Sequence, residues 1–225
     1  MRGLVLSLFP GLGLLDAAFE EAGFCVVRGP DKLFGEDIRG WHVLPDRFDG
    51  VIGGPPCKAF SRAKGTGNPV QGNLIPEFER IVREAKPKWW VMENVVEAPT
   101  PELEPCYASK FDAWEVGARQ HRTRRFSSNL PLRIQKIPLP ARDLDPWPCV
   151  TATEDRYSVG DTRRAGRKVN RKMTLGEVAW AFELPEKKNL PEFSKVRSLY
   201  QLLGNGVPLS MGRAVAQAVI EALGE

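Results

Sequence analysis

The stretch Gly53-Gly54-Pro55-Pro56-Cys57 closes an apolar run, "FDGVIGG", with two glycines and two prolines and then presents one cysteine. Prolines fix the backbone at the end of such a run, and a packing cysteine needs no such setting. A free thiol with a pKa of about 8.5 is only a few per cent thiolate at neutrality, so a nucleophilic Cys57 requires a lowered pKa or a base beside it. Glu93 closes a second apolar run, "WWVMENV". A carboxyl next to such a run loses solvation, its pKa rises, and it becomes able to donate a proton near neutral pH; in isolation Glu93 reads equally as a helix cap or a surface acid. Gln120, Arg122 and Arg124 in "RQHRTRR" recur every second residue, so on a strand their side chains share one face. Guanidinium planes beside a nucleophile suit a planar, oxygen-bearing substrate or a phosphate, and an exposed basic hairpin is the plainer alternative.

A ligand site is suggested upstream. "LFPGLGLLDAAF" sets Gly11 and Gly13 between a strand and a helix, where glycines let a ligand approach the backbone and the helix N-terminus favours polar or anionic groups. The third glycine of the dinucleotide fingerprint is missing, and a tight turn that needs positive φ explains the same residues. Asp31 follows the second apolar run and Asp37 lies in "GEDI". In doubly wound sheets an acid at the end of the second strand commonly binds a ribose, and solvation is the bland alternative for each.

The elements that must position these groups alternate. "LVLSLF", "CVVRG", "FDGVIGG" and "KWWVMENV" read as short buried strands, and "LLDAAFEEAGF" and "IPEFERIVREA" as amphipathic helices, the first stopped by Gly23 and the second opened near Pro76. Strands alternating with helices predict an α/β fold, a parallel sheet covered on both faces. Pattern dissolves from Pro131, and the polar, basic stretch that follows has no helical stripe. Helical spacing returns in "MTLGEVAWAFELP" and in "SMGRAVAQAVIEALG", which is suited to pack back on the sheet.

With 225 residues, 42% hydrophobic and 27% charged, the chain has the composition of one folded domain with a small appendage. It has no apolar run of membrane-spanning length, and "MRGLVLSLF" lacks the length and cleavage site of a signal peptide, so an intracellular location and no membrane partner are expected. The four cysteines form no C-x-x-C pair and there are only two histidines, so no metal is expected and the thiols are read as free. A net charge of +4 hides an uneven distribution: ten basic and five acidic residues lie between Arg133 and Lys172, against five basic and eight acidic in residues 1–57. That is the footprint of a polyanion partner, or of a solvated face.

Taken in order, the pieces resemble the C5-cytosine-specific DNA methyltransferase family, over nearly the whole chain. "LFPGLGLLDAAFEEAGF" is similar to its F-x-G-x-G-G motif, "GGPPCKAF" to its Pro-Cys motif, "ENV" to its Glu-Asn-Val motif and "QHRTRR" to its Q-x-R-x-R motif. "GEDI", "MTLGEVAWAFELP" and "LLGNGVPLSMGRAVA" match three others. The resemblance implies a Rossmann-like, S-adenosylmethionine-dependent fold with a mostly parallel sheet. Residues 1–130 would be the catalytic, cofactor-binding domain, 131–172 a short basic target-recognition region, and 173–225 a return segment whose last helix packs on the catalytic domain. It implies that Cys57 adds to C6 of an extruded cytosine, that Glu93 holds or protonates N3, and that Arg124, with Arg122, braces the ring. The cofactor would lie on Phe9, Gly11, Leu12 and Gly13. Asp31 would meet its ribose, Asp37 and Ile38 its adenine, Pro56 and Leu74 would line the pocket, and Asn205 and Val207 would close it.

Double-stranded DNA is the partner implied, contacted by Lys58, Ser61, Arg62, Lys64 and Gln120 and by Arg163, Arg164, Arg167 and Lys168, with the protein acting as a monomer. Two departures stand out: Leu14 replaces the family's third glycine, and Lys58 the usual glutamine after the cysteine. A tRNA cytosine substrate, and a catalytically silent DNA-binding homologue, are the competing readings.

Overall fold

The computed structural model describes residues 1–56, 60, 72–138, 146, 147, 149, 150, 174–184 and 196–224. The apolar runs become strands β1 (Leu4–Leu8), β2 (Cys25–Arg28), β3 (Gly50–Gly53) and β4 (Trp89–Asn94), followed by β5 (Tyr107–Asp112) and β6 (Thr123–Ser128). They form one sheet in the order β2-β1-β3-β4-β6-β5. The first four strands are parallel, as their alternation with helices predicts, while β6 runs antiparallel to β4 and β5 antiparallel to β6. The reversal has a local cause. Residues 113–122 are too few for a crossover, and Ala113–Val116 form a 3₁₀ turn fixed by a reciprocal cap between Asp112 and Glu115.

The helices are α1 (Leu14–Glu21), α2 (Ile75–Ala85), α3 (Leu175–Ala181), α4 (Val196–Asn205) and α5 (Leu209–Leu223). Period-two alternation divides neighbouring strand residues between two cores. Val5, Ile52, Trp89 and Val91 pack with Leu15 and Phe19 of α1 and Met211, Val215 and Val219 of α5. Leu6, Val51, Trp90 and Met92 pack with Phe78, Ile81 and Val82 of α2. Helices α1 and α5 approach closely because Gly212 has no side chain: a Cβ there would stand 2.7 Å from that of Ala18. A smaller cluster joins Leu14 and Val150 to Val178, Ala181 and Phe182 and to Leu203 of α4. Among the described residues, no helix is long and apolar enough to cross a membrane.

Candidate active site

A cavity of about 360 Å³ opens where β1, β3 and β4 end, the end at which open α/β sheets place ligands. Phe9, Gly11, Leu12, Asp31, Asp37, Ile38, Pro56, Leu74, Asn205 and Val207 line it, together with Glu93, Arg122 and Arg124.

The turn after β1 shapes the first wall. Phe9, Gly11 and Gly13 all take positive φ, at 55°, 56° and 73°, and Gly13 N donates to Pro10 O at 2.8 Å. The two glycines serve different ends. A Cβ on Gly11 would meet nothing within 4 Å, whereas one on Gly13 would stand 2.3 Å from the Arg28 guanidinium. Gly13 therefore admits a neighbouring side chain and lies behind the cavity wall. Asp31 accepts from Gly11 N at 2.9 Å and from Leu33 N at 2.7 Å, tying the glycine turn to the loop after β2. Asp37 caps the next 3₁₀ turn through Arg39 N at 3.1 Å.

Sequence reasoning missed Asp16 and Ser7, which also line the cavity. Asp16, in the first turn of α1, is buried; it accepts from Ser7 Oγ at 2.5 Å and from Arg28 Nε at 3.0 Å. Burial raises its pKa, opposed by the Ser7 hydroxyl and by Arg28. A polar residue inside "LVLSLF" facing an acid in the following helix is the signal that was available.

The opposite wall carries charge. Glu93, near the end of β4, is 7% exposed, and Arg124 Nε of β6 stands 2.9 Å from its Oε1. Burial pushes the Glu93 carboxyl above its usual range, while the charges of Arg124 and then Arg122 oppose the shift. Gly54 leaves room for this acid, since a Cβ there would stand 3.1 Å from Glu93 Oε2. Asn94 binds the same loop: its Nδ2 donates to Pro55 O at 3.2 Å and its Oδ1 accepts from Val95 N at 2.8 Å. The chain leading to Cys57 is thus anchored on the strand that carries Glu93. On the other side of Glu93, Arg125 donates through Nη1 to Val96 O at 3.2 Å and through Nη2 to Ala98 O, holding the turn after β4.

Gln120, Arg122 and Arg124 do not form one strand face, because β6 begins at Thr123 and Gln120 sits in an isolated bridge with Trp147. Gln120 is fully buried, its amide bonded to Ala181 O and Val150 N, in place of the nucleic-acid contact expected of it. Arg122 is 2% exposed, its guanidinium bonded to Val150 O and Gly204 O. Burial, with the charge of Arg124, lowers its pKa to about 10. Leu14 packs where the absent side chain of Gly206 leaves space, since a Cβ there would meet Leu14 Cδ1 at 2.7 Å. Cys57, Lys58, Ser61, Arg62, Lys64, Arg163, Arg164, Arg167 and Lys168 lie outside the described residues. Among those described, no group of three or more His, Cys, Asp and Glu side chains is arranged to hold a metal ion.

Comparison with known proteins adds to this geometry. Residues 34–109 match the model of the C-5 cytosine-specific DNA methylase family. The Type II methyltransferase M.FnuDI of Fusobacterium nucleatum is 37% identical over 112 residues, which cover 40% of this chain and 32% of that protein. The chain thus spans about a third of that relative's length. The Type II methyltransferase M.HindV of Haemophilus influenzae is 25% identical over an aligned span of 291, covering 96% of this chain and 95% of that one. In fold, the S. pombe Dnmt2 methyltransferase superposes with a TM-score of 0.67 at 12% identity over all of both chains. With the glycine turn, Pro55–Pro56 and the buried glutamate gathered at one cavity, these matches show that the chain is similar to the C-5 cytosine-specific DNA methylases, whose family model matches residues 34–109.

Proposed function

We propose that the protein is a DNA (cytosine-5-)-methyltransferase that methylates C5 of a flipped-out cytosine through a transient Cys57–C6 bond. The observation that carries this reading is Glu93: a buried carboxyl, ion-paired to Arg124, at a cavity that is also lined by Gly53–Pro56, the residues immediately before Cys57 in the sequence.

C5 of cytosine is a poor nucleophile until the ring is activated, which is the chemical reason for a cysteine. The Cys57 thiolate adds to C6 while Glu93, whose pKa burial raises, supplies a proton to N3. The ring's electrons then reside at C5, an enamine-like carbon that takes the methyl group. Loss of the C5 proton to a base, return of the N3 proton to Glu93 and expulsion of the Cys57 thiolate restore the aromatic ring. Arg124 fixes the orientation of the Glu93 carboxyl and limits how far its pKa rises.

The cavity suits S-adenosylmethionine, which supplies an electrophilic methyl group on a sulfonium. Its volume falls within the roughly 300–1,000 Å³ of small-ligand sites, and Gly11 presents bare backbone to open space. Phe9, Gly11 and Leu12 would hold the cofactor on one side, with Asp37 and Ile38 at the adenine and Asn205 and Val207 opposite. Asp31 shapes this wall from behind by tying Gly11 to Leu33. Extrusion of the base costs a few kcal/mol, which phosphate contacts from the basic region 131–172 would offset, making affinity steeply salt-dependent.

The test is covalent capture. Duplex DNA containing 5-fluorocytosine, given with the methyl donor, should cross-link to the wild type at residue 57 and not to Cys57→Ala. Bisulfite sequencing of unmodified duplex should report 5-methylcytosine made by the wild type alone. Labelling of tRNA with inactivity on duplex DNA would replace the substrate. Equal activity of Cys57→Ala would exclude the mechanism.

A further inference from the structure

Gln120 and Arg122 are buried on the approach to β6, and among the described residues both hydrogen-bond to backbone groups of other segments. Gln120 Nε2 donates to Ala181 O at 2.8 Å, and its Oε1 accepts from Val150 N at 3.1 Å. Arg122 Nη1 donates to Val150 O at 2.8 Å and Nη2 to Gly204 O at 3.0 Å. Val150 is therefore held by its N–H and its C=O at once, from two side chains entering one strand. Arg122 also lies 3.6 Å from Cys149 Sγ and 5.5 Å from the ring centre of Phe182. Gly204 is the first residue of Gly204–Val207, a stretch that lines the cavity and packs through Gly206 on Leu14. A planar fork with donors in fixed directions can reach two carbonyls on two separate segments, which a lysine's single ammonium cannot do in the same way.

We infer that Gln120 and Arg122 are positioning residues that assemble the cofactor cavity by fastening its second wall, Gly204–Val207, and the Val150 segment to the strand that carries Arg124. The inference rests on the reading of this cavity as the S-adenosylmethionine site. It assigns Arg122 to cofactor binding and leaves Arg124 with the reacting end. Among the described residues, the charged or titratable groups facing Arg122 are Arg124 from β6, Glu93 from β4 and Cys149 from the Val150 segment. With its pKa lowered only to about 10, the guanidinium stays charged from pH 7 to 9. A lysine in the same buried place starts from a lower ordinary pKa and loses its charge nearer neutrality.

The full chain, Arg122→Lys and Gln120→Met are titrated calorimetrically with S-adenosylhomocysteine at pH 7 and pH 9, and kcat and the KM for S-adenosylmethionine are measured on duplex DNA. Arg122→Lys should bind 10- to 100-fold more weakly at pH 7 and more weakly still at pH 9, while the wild type changes less than two-fold between them. Its KM should rise by a larger factor than its kcat falls. Gln120→Met should weaken binding by three- to ten-fold at both pH values. Wild-type affinity in Arg122→Lys with the loss confined to kcat would overturn the inference, as would a weakened affinity that does not change with pH. Should Arg122→Lys fail to melt cooperatively, unchanged binding by Gln120→Met overturns it alone. Failure of the wild type itself to bind S-adenosylhomocysteine would remove the cofactor reading, and this inference with it.

Discussion

Strands β1 and β3 bury every residue but Leu4 and deliver to the cavity mainly backbone: the Phe9–Leu12 turn and the Gly53–Pro56 loop. The antiparallel β6 and its approach are built of other material, with Gln120, Arg122, Arg124 and Arg125 bonded to a carboxylate and to carbonyls of four separate segments. β4 lies between the two halves and carries Glu93. Apolar strands flanked by two cores fix where the backbone ends, and that suffices to shape a ligand site. Orienting a buried acid and hanging distant loops takes charged donors with long reach, whose terminal nitrogens are met by carbonyls while Arg122 Nε and Arg125 Nε have no hydrogen-bond partner among the described residues. Damage to the parallel half should therefore register as stability, and damage to the antiparallel half as chemistry.

The sharpest way to break that contrast is Glu93→Gln, which keeps the shape and removes the titratable proton. Single-turnover methyl transfer should fall by about 10²- to 10⁴-fold, and a loss below ten-fold would show that the charged half is not where protons move. Next in size is Arg124→Met, with a rate loss of about ten-fold or more. Arg124 opposes the upward shift of Glu93, so without it the Glu93 pKa rises further. An acid catalyst is competent below its pKa, so the alkaline limb of the pH–rate profile set by Glu93 should move to higher pH; a move to lower pH would contradict the pairing.

In the parallel half, Gly50→Ala should lower stability by about 1–3 kcal/mol. The new Cβ would stand 2.2 Å from the Trp89 ring, which is buried and stacked 5.9 Å from Phe19 and so has little room to move. Each kcal/mol should appear as roughly 2–4 °C in a thermal melt of a chain this size. An unchanged melt would mean the apolar half is looser than its packing implies. The smallest effect belongs to Arg213→Ala, which removes the exposed α5–α1 pair with Glu21 and should cost less than about 1 kcal/mol. Arg213 lowers the Glu21 pKa, so what the pair contributes is present above pH 4.5 and disappears as pH falls through the folded value. The variant and the wild type should differ at pH 7 and converge as the pH falls below 4.5 and through the lowered Glu21 pKa of the folded state.

What was legible in the sequence follows the same division. α2 spans the residues of "IPEFERIVREA" because its apolar spacing and Pro76 are local signals, and β1, β3 and β4 are runs too apolar to lie elsewhere, whereas β2, expected to be buried, is an edge strand with Val27 and Arg28 exposed. The glycine turn and Glu93 were legible because each ends such a run. The hairpin of β5 and β6 was not, since its reversal depends on a cap between Asp112 and Glu115 and on a connection too short to cross the sheet. Nor does a two-residue period tell whether its face looks outward or inward. Gln120 and Arg122 read as surface donors until Val150, Ala181 and Gly204, 28 to 82 positions away, are brought against them. Asp16 was hidden for a related reason, because its partners Ser7 and Arg28 stand on strands that flank it only once the sheet forms.

The seat of Leu14 against Gly206 bears on engineering by segment exchange. A leucine at the head of α1 and a bare backbone at position 206 interlock, so neither can be traded alone. Any chimera that imports the C-terminal portion of a relative must bring glycine opposite this leucine or shrink the leucine too. Swapped in pairs the two halves should dock; swapped singly, one methyl group would hold the ligand site ajar.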